Sequence, residues 1–193
     1  MCGRYQFTLN QCPEVIKIIQ EVERRHGTGS WNPGEIRPTA KAPVLLAAGQ
    51  KIHPELQVWG YRLPKSLVIN ARAESVEEKA LFRDSIVSQR CVIPSTGFFE
   101  WDAGKRKYLF NLPGGSVLYM AGLYMLQNGQ PCYCILTTEA NASMQDVHPR
   151  MPLVLKREQV ALWLGEREEA RKLLHMTPPL LEKSAEDAQL QLW

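Results

Sequence analysis

The sequence lacks several patterns that would place it in a common functional class. Over its 193 residues no run approaches the roughly 18 apolar residues of a membrane span. It contains no GxGxxG or GxxxxGKS/T phosphate loop, which argues against nucleotide hydrolysis. Arg4 and Gln6 interrupt any apolar signal segment at the start. These absences predict a soluble cytoplasmic protein with no membrane partner.

Cysteine is scarce, and its spacing does not suit a metal site. The five cysteines stand at positions 2, 12, 91, 132 and 134, without a CxxC pair. Cys132 and Cys134 would share one face of a strand. We therefore predict reduced thiols, no metal and no cofactor, with Cys91, Cys132 and Cys134 buried as small hydrophobic residues.

Composition is that of an ordinary globular chain. Hydrophobic residues make up 45% and charged residues 22%, so disorder is not expected. The formal net charge of +3 is compatible with a nucleic-acid partner but does not require one. The length predicts one domain over residues 1–193.

Apolar periodicity predicts an α+β fold. A first helix is expected over Cys12–Arg25, with Pro13 in its first turn, and a second over Val76–Ser88. The chain from Arg157 onward is expected to be helical again, and Gly34–Pro43 is expected to be a loop. Short apolar runs predict strands at Val44–Ala48, Leu56–Tyr61, Leu67–Asn70, Cys91–Ile93, Phe98–Trp101, Tyr108–Leu112, Val117–Tyr124 and Cys132–Thr137. This pattern indicates a curved antiparallel sheet or barrel with peripheral helices.

Cys2 follows Met1 directly, and this position has chemical consequences. If Met1 is removed, Cys2 carries a thiol and an α-amine whose ordinary pKa is about 7.7–8.0. The amine can form a Schiff base with an aldehyde, and the thiol can then close a five-membered thiazolidine. A retained Met1 would block the amine. The alternative is that Cys2 simply packs as a small hydrophobic residue.

Four separated motifs favour the reactive role of Cys2 over simple packing. They are Met1–Tyr5 (MCGRY), Ile69–Glu74 (INARAE), Gly97–Trp101 (GFFEW) and His148–Pro152 (HPRMP). Supporting segments are Trp59-Gly60, Arg90–Pro94, Met120–Tyr124 and Leu136–Asn141. Together, from residue 2 to about residue 165, they resemble the SOS-response-associated peptidase (SRAP) family. Each motif is weak alone, and their joint occurrence in order carries the resemblance.

The resemblance implies both a chemistry and a set of residues. It implies that Cys2, Asn70, Glu100 and His148 are catalytic. It also implies that the protein binds abasic sites in single-stranded DNA, forms a thiazolidine crosslink through Cys2, and has lyase-like and autopeptidase activities of a thiol peptidase. Only Met1 precedes Cys2, so ordinary Met removal would suffice here.

The residue types suit these roles. Glu100 lies between Phe99 and Trp101, where an apolar setting is expected to raise a carboxyl pKa and suit it to acid–base work. His148 has an ordinary pKa near 6.5 and could move protons at neutral pH. Asn70 can both donate and accept, and could orient the amine or a sugar hydroxyl. As alternatives, Glu100 could be a buried carboxylate paired with arginine, His148 a loop residue and Asn70 a turn residue.

Contacts with DNA are expected to be mainly to phosphate. The candidates are Arg4, Arg72, Arg150, Pro38 and Thr137. Lys105, Arg106 and Lys107 are expected to form an exposed turn, and Trp59 and Trp101 to be core aromatics rather than base-stacking platforms.

Two segments depart from the family pattern. In Glu35–Thr39, Glu35 would repel phosphate while Arg37 would attract it. The short Leu63–Ser66 segment has no aromatic residue with which to wedge a strand junction.

Two other functions remain open from the sequence. One is an N-terminal cysteine peptidase or amidohydrolase with Glu100 or His148 as base. The other is a non-catalytic single-stranded-DNA-binding module in which Cys2 is incidental. A monomer is expected in each case.

Overall fold

The computed structural model describes residues 2–9 and 12–185, which form fifteen strands and four α-helices. The strands are β1 Arg4–Phe7, β2 Gly34–Ile36, β3 Lys41–Ala48, β4 Lys51–Trp59, β5 Tyr61–Leu63, β6 Ser66–Val68, β7 Asn70–Arg72, β8 Arg90–Ser95, β9 Gly97–Trp101, β10 Lys107–Asn111, β11 Leu118–Gln127, β12 Gln130–Glu139, β13 Arg150–Pro152, β14 Val154–Leu155 and β15 Glu182–Ala185. The helices are α1 Pro13–His26, α2 Arg83–Ser88, α3 Gln159–Leu164 and α4 Arg167–Leu173.

Five strands close into a barrel in the order β12–β4–β3–β8–β11 and back to β12. β11 and β12 form a long hairpin, and β12 then meets β4 in parallel, with Cys132 opposite Val58. β7 and β13 extend the sheet on the two sides of the later part of β12. The predicted α+β barrel with peripheral helices is confirmed. One detail differs from an antiparallel sheet, since β12 runs parallel to β4 and β7.

Barrel closure depends on Gly122. This residue pairs with Cys91 of β8 on one side and with Ile135 of β12 on the other. A Cβ atom there would lie 2.3 Å from Ile93 Cδ1 and 2.7 Å from the Cys134 carbonyl oxygen. Because a backbone carbonyl in a barrel strand cannot move aside easily, only glycine lets the strands approach this closely.

A second sheet carries the N-terminal strand in the order β15–β10–β9–β1–β2. Its β1 sends Tyr5 into the barrel core, where the Tyr5 and Trp59 rings meet edge to face at 5.2 Å. The Tyr5 and Tyr133 hydroxyls are hydrogen-bonded at 2.6 Å, and both rings are buried. The two sheets therefore share one core, and Cys2 is held just before the point where they meet.

The first helix follows its sequence pattern closely. α1 runs over Pro13–His26 against the predicted Cys12–Arg25. Its apolar residues recur at helical spacing, and Val15, Ile18, Ile19 and Val22 are all buried. Helix formation after Arg157 is confirmed by α3 and α4, although β15 then follows as a strand. Among the described residues, no helix has both the length and the apolar content needed to cross a membrane.

Two local predictions were wrong. The helix expected over Val76–Ser88 forms only at its end, as α2, while residues 76–82 form turns. Val76 and Phe82 are both buried, but six residues of a continuous helix would place them on different faces, about 120° apart. The expected loop Gly34–Pro43 instead contains β2 and the start of β3, because pairing with β1 and β4 satisfies its backbone.

Candidate active site

Cys2 lies buried at the mouth between the two sheets, with 1% of its surface exposed. It precedes β1, whose Arg4 pairs with Phe99 of β9. Its thiol donates to the carbonyl oxygen of Arg4, two residues further along the chain, with Sγ 3.6 Å from that oxygen. Burial raises the pKa of the Cys2 thiol, and the nearby Glu100 carboxylate raises it further. The thiol is therefore held protonated at neutral pH.

Glu100 reaches Cys2 from the adjacent strand. Glu100 lies on β9, one residue beyond the Arg4–Phe99 pair, and is 5% exposed. Its Oε1 accepts a long hydrogen bond of 3.4 Å from the Trp101 N–H. Glu100 is thus a buried carboxylate whose charge acts on the Cys2 thiol, and the proton-transfer role expected of it stays a prediction.

Asn70 contacts Cys2 directly. Its Nδ2 donates to the Cys2 carbonyl oxygen over 3.0 Å, and its Oδ1 is buried without a hydrogen-bond donor among the described residues. Asn70 is set by β7, which pairs in parallel with β12 so that Asn70 faces Ile135. Trp59 supports this strand, since its Nε1 donates to the Ile69 carbonyl oxygen at 3.0 Å. Trp59 is fully buried, as predicted for a core aromatic.

A second polar group is centred on Arg150. Its guanidinium donates to both carboxylate oxygens of Glu74 at 2.8 and 2.9 Å and to the Thr137 carbonyl oxygen at 2.7 Å. Partial burial works against ionisation of Glu74, but the Arg150 hydrogen bonds and charge prevail and lower its pKa to about 2. This bidentate pair ties β13 to the turn that follows β7. Arg150 is thus directed into the protein, with its side chain 14% exposed.

His148 belongs to this second group. Its Nδ1 lies 3.0 Å from the Arg150 backbone nitrogen, whose N–H donates to it, and 3.0 Å from the Arg150 carbonyl oxygen. The His148 N–H in turn donates to the Met144 carbonyl oxygen at 3.1 Å, which closes the turn before β13. The half-buried imidazole is therefore fixed in orientation, as a proton-transfer residue requires.

Strand β12 organises the two groups. At Thr137 it pairs with Arg72 of β7 on one side and with Pro152 of β13 on the other. Thr137 is buried, and its hydroxyl donates to the Ala71 carbonyl oxygen at 3.3 Å. Asn70 and His148 thus come from segments that flank the same strand. The structure joins Cys2, Asn70 and Glu100 closely, and joins His148 to Arg150.

Comparison with known proteins identifies the family of the chain. The model of the SOS response associated peptidase (SRAP) family matches residues 1–191. This chain belongs to the SRAP family.

Relatives cover most of the chain. The abasic site processing protein YoaM of Bacillus subtilis is 30% identical to this SRAP chain, with 98% of this chain and 89% of that protein covered. The abasic site processing protein YoqW of the same organism is 31% identical, covering 86% of this chain and 81% of that protein. A crystal structure of a Bacteroides thetaiotaomicron protein shares the fold, with a TM-score of 0.76 at 20% identity over 97% of this chain and 93% of the other.

The outer face of the second sheet in this SRAP chain carries a cluster of charges, here called the Glu35 cluster (Arg4, Glu35, Arg37 and Lys107). Glu35 accepts from Arg37 at 2.8 Å and lies 3.4 Å from both Arg4 and Lys107. Partial burial opposes its ionisation, but Arg37, Lys107 and Arg4 together lower the Glu35 pKa. Three cations against one carboxylate leave a net charge of +2 beside Cys2. The repulsion of phosphate expected from Glu35 is therefore more than offset by its partners.

Aromatic rings lie beneath these cations. The Arg4 guanidinium carbon is 5.3 Å from the centre of the Trp101 ring, and Lys107 Nζ is 3.8 Å from that of Phe99. Trp101 was expected to be a core aromatic residue, but it is only half-buried. Lys105 and Arg106 are exposed in the β9–β10 turn, whereas Lys107 belongs to β10 and is half-buried. The assignment of Lys107 to an exposed turn was therefore wrong.

The sequence alone did not indicate every residue of this region. Glu74 is the last residue of the Ile69–Glu74 motif, and nothing local marks it as the partner of Arg150, 76 residues away. Arg72 is exposed at the end of β7, and Pro38 lies in the turn between β2 and β3, beside Thr39 with its φ of 74°. Cys91, Cys132 and Cys134 are all buried, as predicted for small hydrophobic residues.

Proposed function

We propose that this SRAP protein processes abasic sites in single-stranded DNA, and that it does so by forming a thiazolidine crosslink through Cys2 once Met1 has been removed. The observation that carries the proposal is the environment of Cys2. Asn70 holds its carbonyl, and burial together with the charge of Glu100 raises the pKa of its thiol. The names of the relatives, abasic site processing proteins, support the same substrate.

The protonated thiol favours one order of steps. The free α-amine attacks the aldehyde carbon of the ring-opened abasic sugar, and loss of water gives a protonated Schiff base. The thiol sulfur then adds to that carbon while its proton leaves to a nearby base, and the former imine nitrogen becomes the ring amine. Atoms balance, because the aldehyde and Cys2 give thiazolidine and one water.

Glu100 and His148 take the proton-transfer roles in this proposal. Glu100 is next to the thiol and is suited to accept its proton as sulfur attacks the Schiff base. The imidazole of His148 is held by the Arg150 backbone at Nδ1, and its Nε2 is directed away from that contact. In this proposal His148 transfers protons at the sugar oxygen during ring opening and during reversal of the crosslink. Asn70 Oδ1 is available to accept from the amine or a sugar hydroxyl.

Single-stranded DNA is the proposed partner, held mainly through phosphate. Arg4 and Arg72 are exposed enough to meet it, and the Glu35 cluster adds a net positive surface with the Trp101 ring below. The side chains of Thr137 and Arg150 are directed into the protein, so in this proposal they shape the edge of the site. Contacts of Thr137, Arg150 and Pro38 with DNA stay predictions. A monomer also stays a prediction.

Peptide hydrolysis remains the second candidate, but the thiol environment is less favourable to it. A cysteine peptidase needs a thiolate near neutral pH, whereas both burial and Glu100 raise the Cys2 pKa. Autopeptidase and lyase-like activities therefore stay predictions. Turnover of peptide or amide substrates without DNA would favour this candidate.

Intact mass spectrometry tests the proposal. The protein is weighed alone and after incubation with a single-stranded oligonucleotide that contains one abasic site. We expect loss of Met1 and a heat-stable adduct one water lighter than the sum of the two molecules. Cys2→Ala should give no adduct, while Cys12→Ala, at another cysteine outside any disulfide, should give a normal one. A mature N-terminal Cys2 with no adduct, or a stable adduct with Cys2→Ser, would overturn the mechanism.

A further inference from the structure

A cleft of about 410 Å³ opens between β7 and the turns at 76–82. Its lining includes Val68, Asn70, Arg72, Lys79, Leu81 and Phe82. Its size falls within the range of small-ligand sites. Asn70 lines the cleft and also donates to the Cys2 carbonyl oxygen, so the cleft and the candidate active site share this residue.

The cations of this cleft differ from the others near the site. Arg72 and Lys79 are both exposed, and within residues 2–9 and 12–185 neither has a carboxylate partner or a side-chain hydrogen bond. By contrast, Arg4 is engaged with Glu35 and Arg150 with Glu74. Two unpaired cations at the mouth of one cleft favour an anionic ligand such as phosphate.

The wall of the cleft is apolar. Leu81 is half-buried, and Phe82 is buried against Tyr61 with ring centres 6.2 Å apart. Both residues lie in the turns at 76–82 that replace the expected helix. A regular helix would have carried Leu81 and Lys79 on different faces, because they are two residues apart. The turn instead brings a cation and an apolar side chain to the same opening.

We infer that this cleft binds the nucleotide next to the lesion, with its base against Leu81 and Phe82 and its phosphate between Arg72 and Lys79. The inference rests on the proposed function, since it takes the lesion to lie at Cys2. An intact neighbouring nucleotide has both parts that the cleft matches, a flat apolar base and an anionic phosphate. The abasic residue itself has no base and would leave the wall uncovered. By binding this neighbouring nucleotide, the cleft positions the abasic sugar at Cys2.

Binding of single-stranded oligonucleotides that cannot crosslink tests the inference. Each carries a tetrahydrofuran spacer at the lesion position, because this analogue cannot open to an aldehyde. Two further oligonucleotides carry a second spacer in place of the nucleotide on the 5′ or the 3′ side. Removal of the base on one side should weaken binding of the wild type about fivefold, the order expected for loss of one stacked base. In Leu81→Ala, removal of the same base should change the binding affinity by less than about twofold.

Lys79→Ala tests the phosphate part. It should weaken binding to all the oligonucleotides alike and reduce the slope of log affinity against log salt by about 0.7, the value for one phosphate contact on a single strand. Lys51→Ala is the matched control, since Lys51 is also exposed but lies at the start of β4. An unchanged slope in Lys79→Ala, or equal binding of all spacer oligonucleotides by the wild type, would overturn the inference.

An oligonucleotide with a true abasic site, which can crosslink, distinguishes failure of the cleft inference from failure of the proposed function. If wild type and Lys79→Ala both form the Cys2 adduct at the same rate under subsaturating DNA, the cleft has no role while the proposed function stands. If the wild type forms no adduct at all, the proposed function fails and the inference that depends on it fails too.

Discussion

Asn70 holds Cys2 by its backbone, through a 3.0 Å hydrogen bond from Asn70 Nδ2 to the Cys2 carbonyl oxygen. The two residues are 68 positions apart, and the bond ties β7, which extends the barrel sheet, to the segment just before β1 of the second sheet. Because the carbonyl is the group held, the thiol and the α-amine of a mature Cys2 stay available for reaction. The bond therefore positions both reacting groups without consuming either.

Asn70→Asp should remove this restraint and place a carboxylate against the carbonyl oxygen. We expect adduct formation in a single-turnover assay to slow at least about tenfold, since loss of a buried hydrogen bond costs roughly 1–3 kcal/mol. Asn111→Ala is the matched control, because Asn111 also donates from Nδ2 to a backbone carbonyl, that of Leu112, at 3.1 Å. Equal rates for wild type and Asn70→Asp would remove the positioning role.

Glu100→Gln should change two measurements in opposite directions. Glu100 raises the pKa of the Cys2 thiol, so removal of its charge lowers that pKa and moves the pH profile of Cys2 alkylation to lower pH. Crosslinking should nevertheless slow about a hundredfold, because the proton acceptor for the thiol is lost. Alkylation is followed by peptide mass spectrometry, and crosslinking by adduct yield over time. Faster alkylation together with unchanged crosslinking would show that Glu100 acts only on the thiol pKa and not in proton transfer.

The candidate residues of this site were singled out by the joint resemblance of four motifs to the SRAP family, since each motif is weak alone. A cysteine after Met1, a glutamate between aromatic residues and an asparagine in a short strand each carry a recognisable group. The barrel was accessible from the sequence itself, since closely spaced apolar runs with turn residues between them favour short strands. The burial of Cys91 and Cys134 followed from the same runs.

The pairings could not be predicted, because they depend on contacts far apart in sequence. Glu74 meets Arg150 only after β7 and β13 have flanked β12. Lys107 leaves the expected turn because it packs on Phe99 and pairs with Glu35. In residues 76–82, burial of Val76 and Phe82 outweighs a helix propensity of a few tenths of a kcal/mol per residue. Tertiary packing decided each of these outcomes.

Glu35→Gln should strengthen binding of single-stranded DNA. The change takes the net charge of the Glu35 cluster from +2 to +3 and frees Arg4 and Arg37 from their shared carboxylate. We expect the Kd to fall about twofold to fivefold at low salt, with a smaller effect at high salt, as for exposed charges. Fluorescence anisotropy with an oligonucleotide that carries a tetrahydrofuran spacer gives the Kd.

Glu55→Gln is the control for the effect of net charge alone. Glu55 is likewise surrounded by basic residues, Arg25, His26 and His53, but these lie on α1 and β4. The Glu55 variant should bind DNA as the wild type does. If both variants strengthen binding equally, the effect comes from total charge, and the Glu35 cluster has no special place in the interface.

The Glu74–Arg150 pair should make stability depend on pH in the acid range. The folded-state pKa of Glu74, about 2, is below the ordinary value of about 4.3. A depressed carboxyl pKa contributes stability that is complete above the unfolded pKa and is lost as pH falls toward the folded one. The contribution should therefore be present at pH 6 and decline from about pH 5 to pH 2. Since Glu74 is 41% exposed, solvent screening limits the coupling to about 1 kcal/mol.

A double-mutant cycle with Glu74→Gln and Arg150→Met, measured by urea unfolding, isolates this coupling. The coupling free energy should be favourable at pH 6 and smaller at pH 3, provided the protein remains folded there. The same cycle on Glu21 and Arg24, an exposed i,i+3 pair on α1, should give a weaker coupling because both partners are open to solvent. A Glu74–Arg150 coupling that does not change between pH 6 and pH 3 would mean that Glu74 is not ionised against Arg150. The edge formed by β7, β12 and β13 would then be held by its backbone pairing and by the bond from Arg150 to the Thr137 carbonyl oxygen.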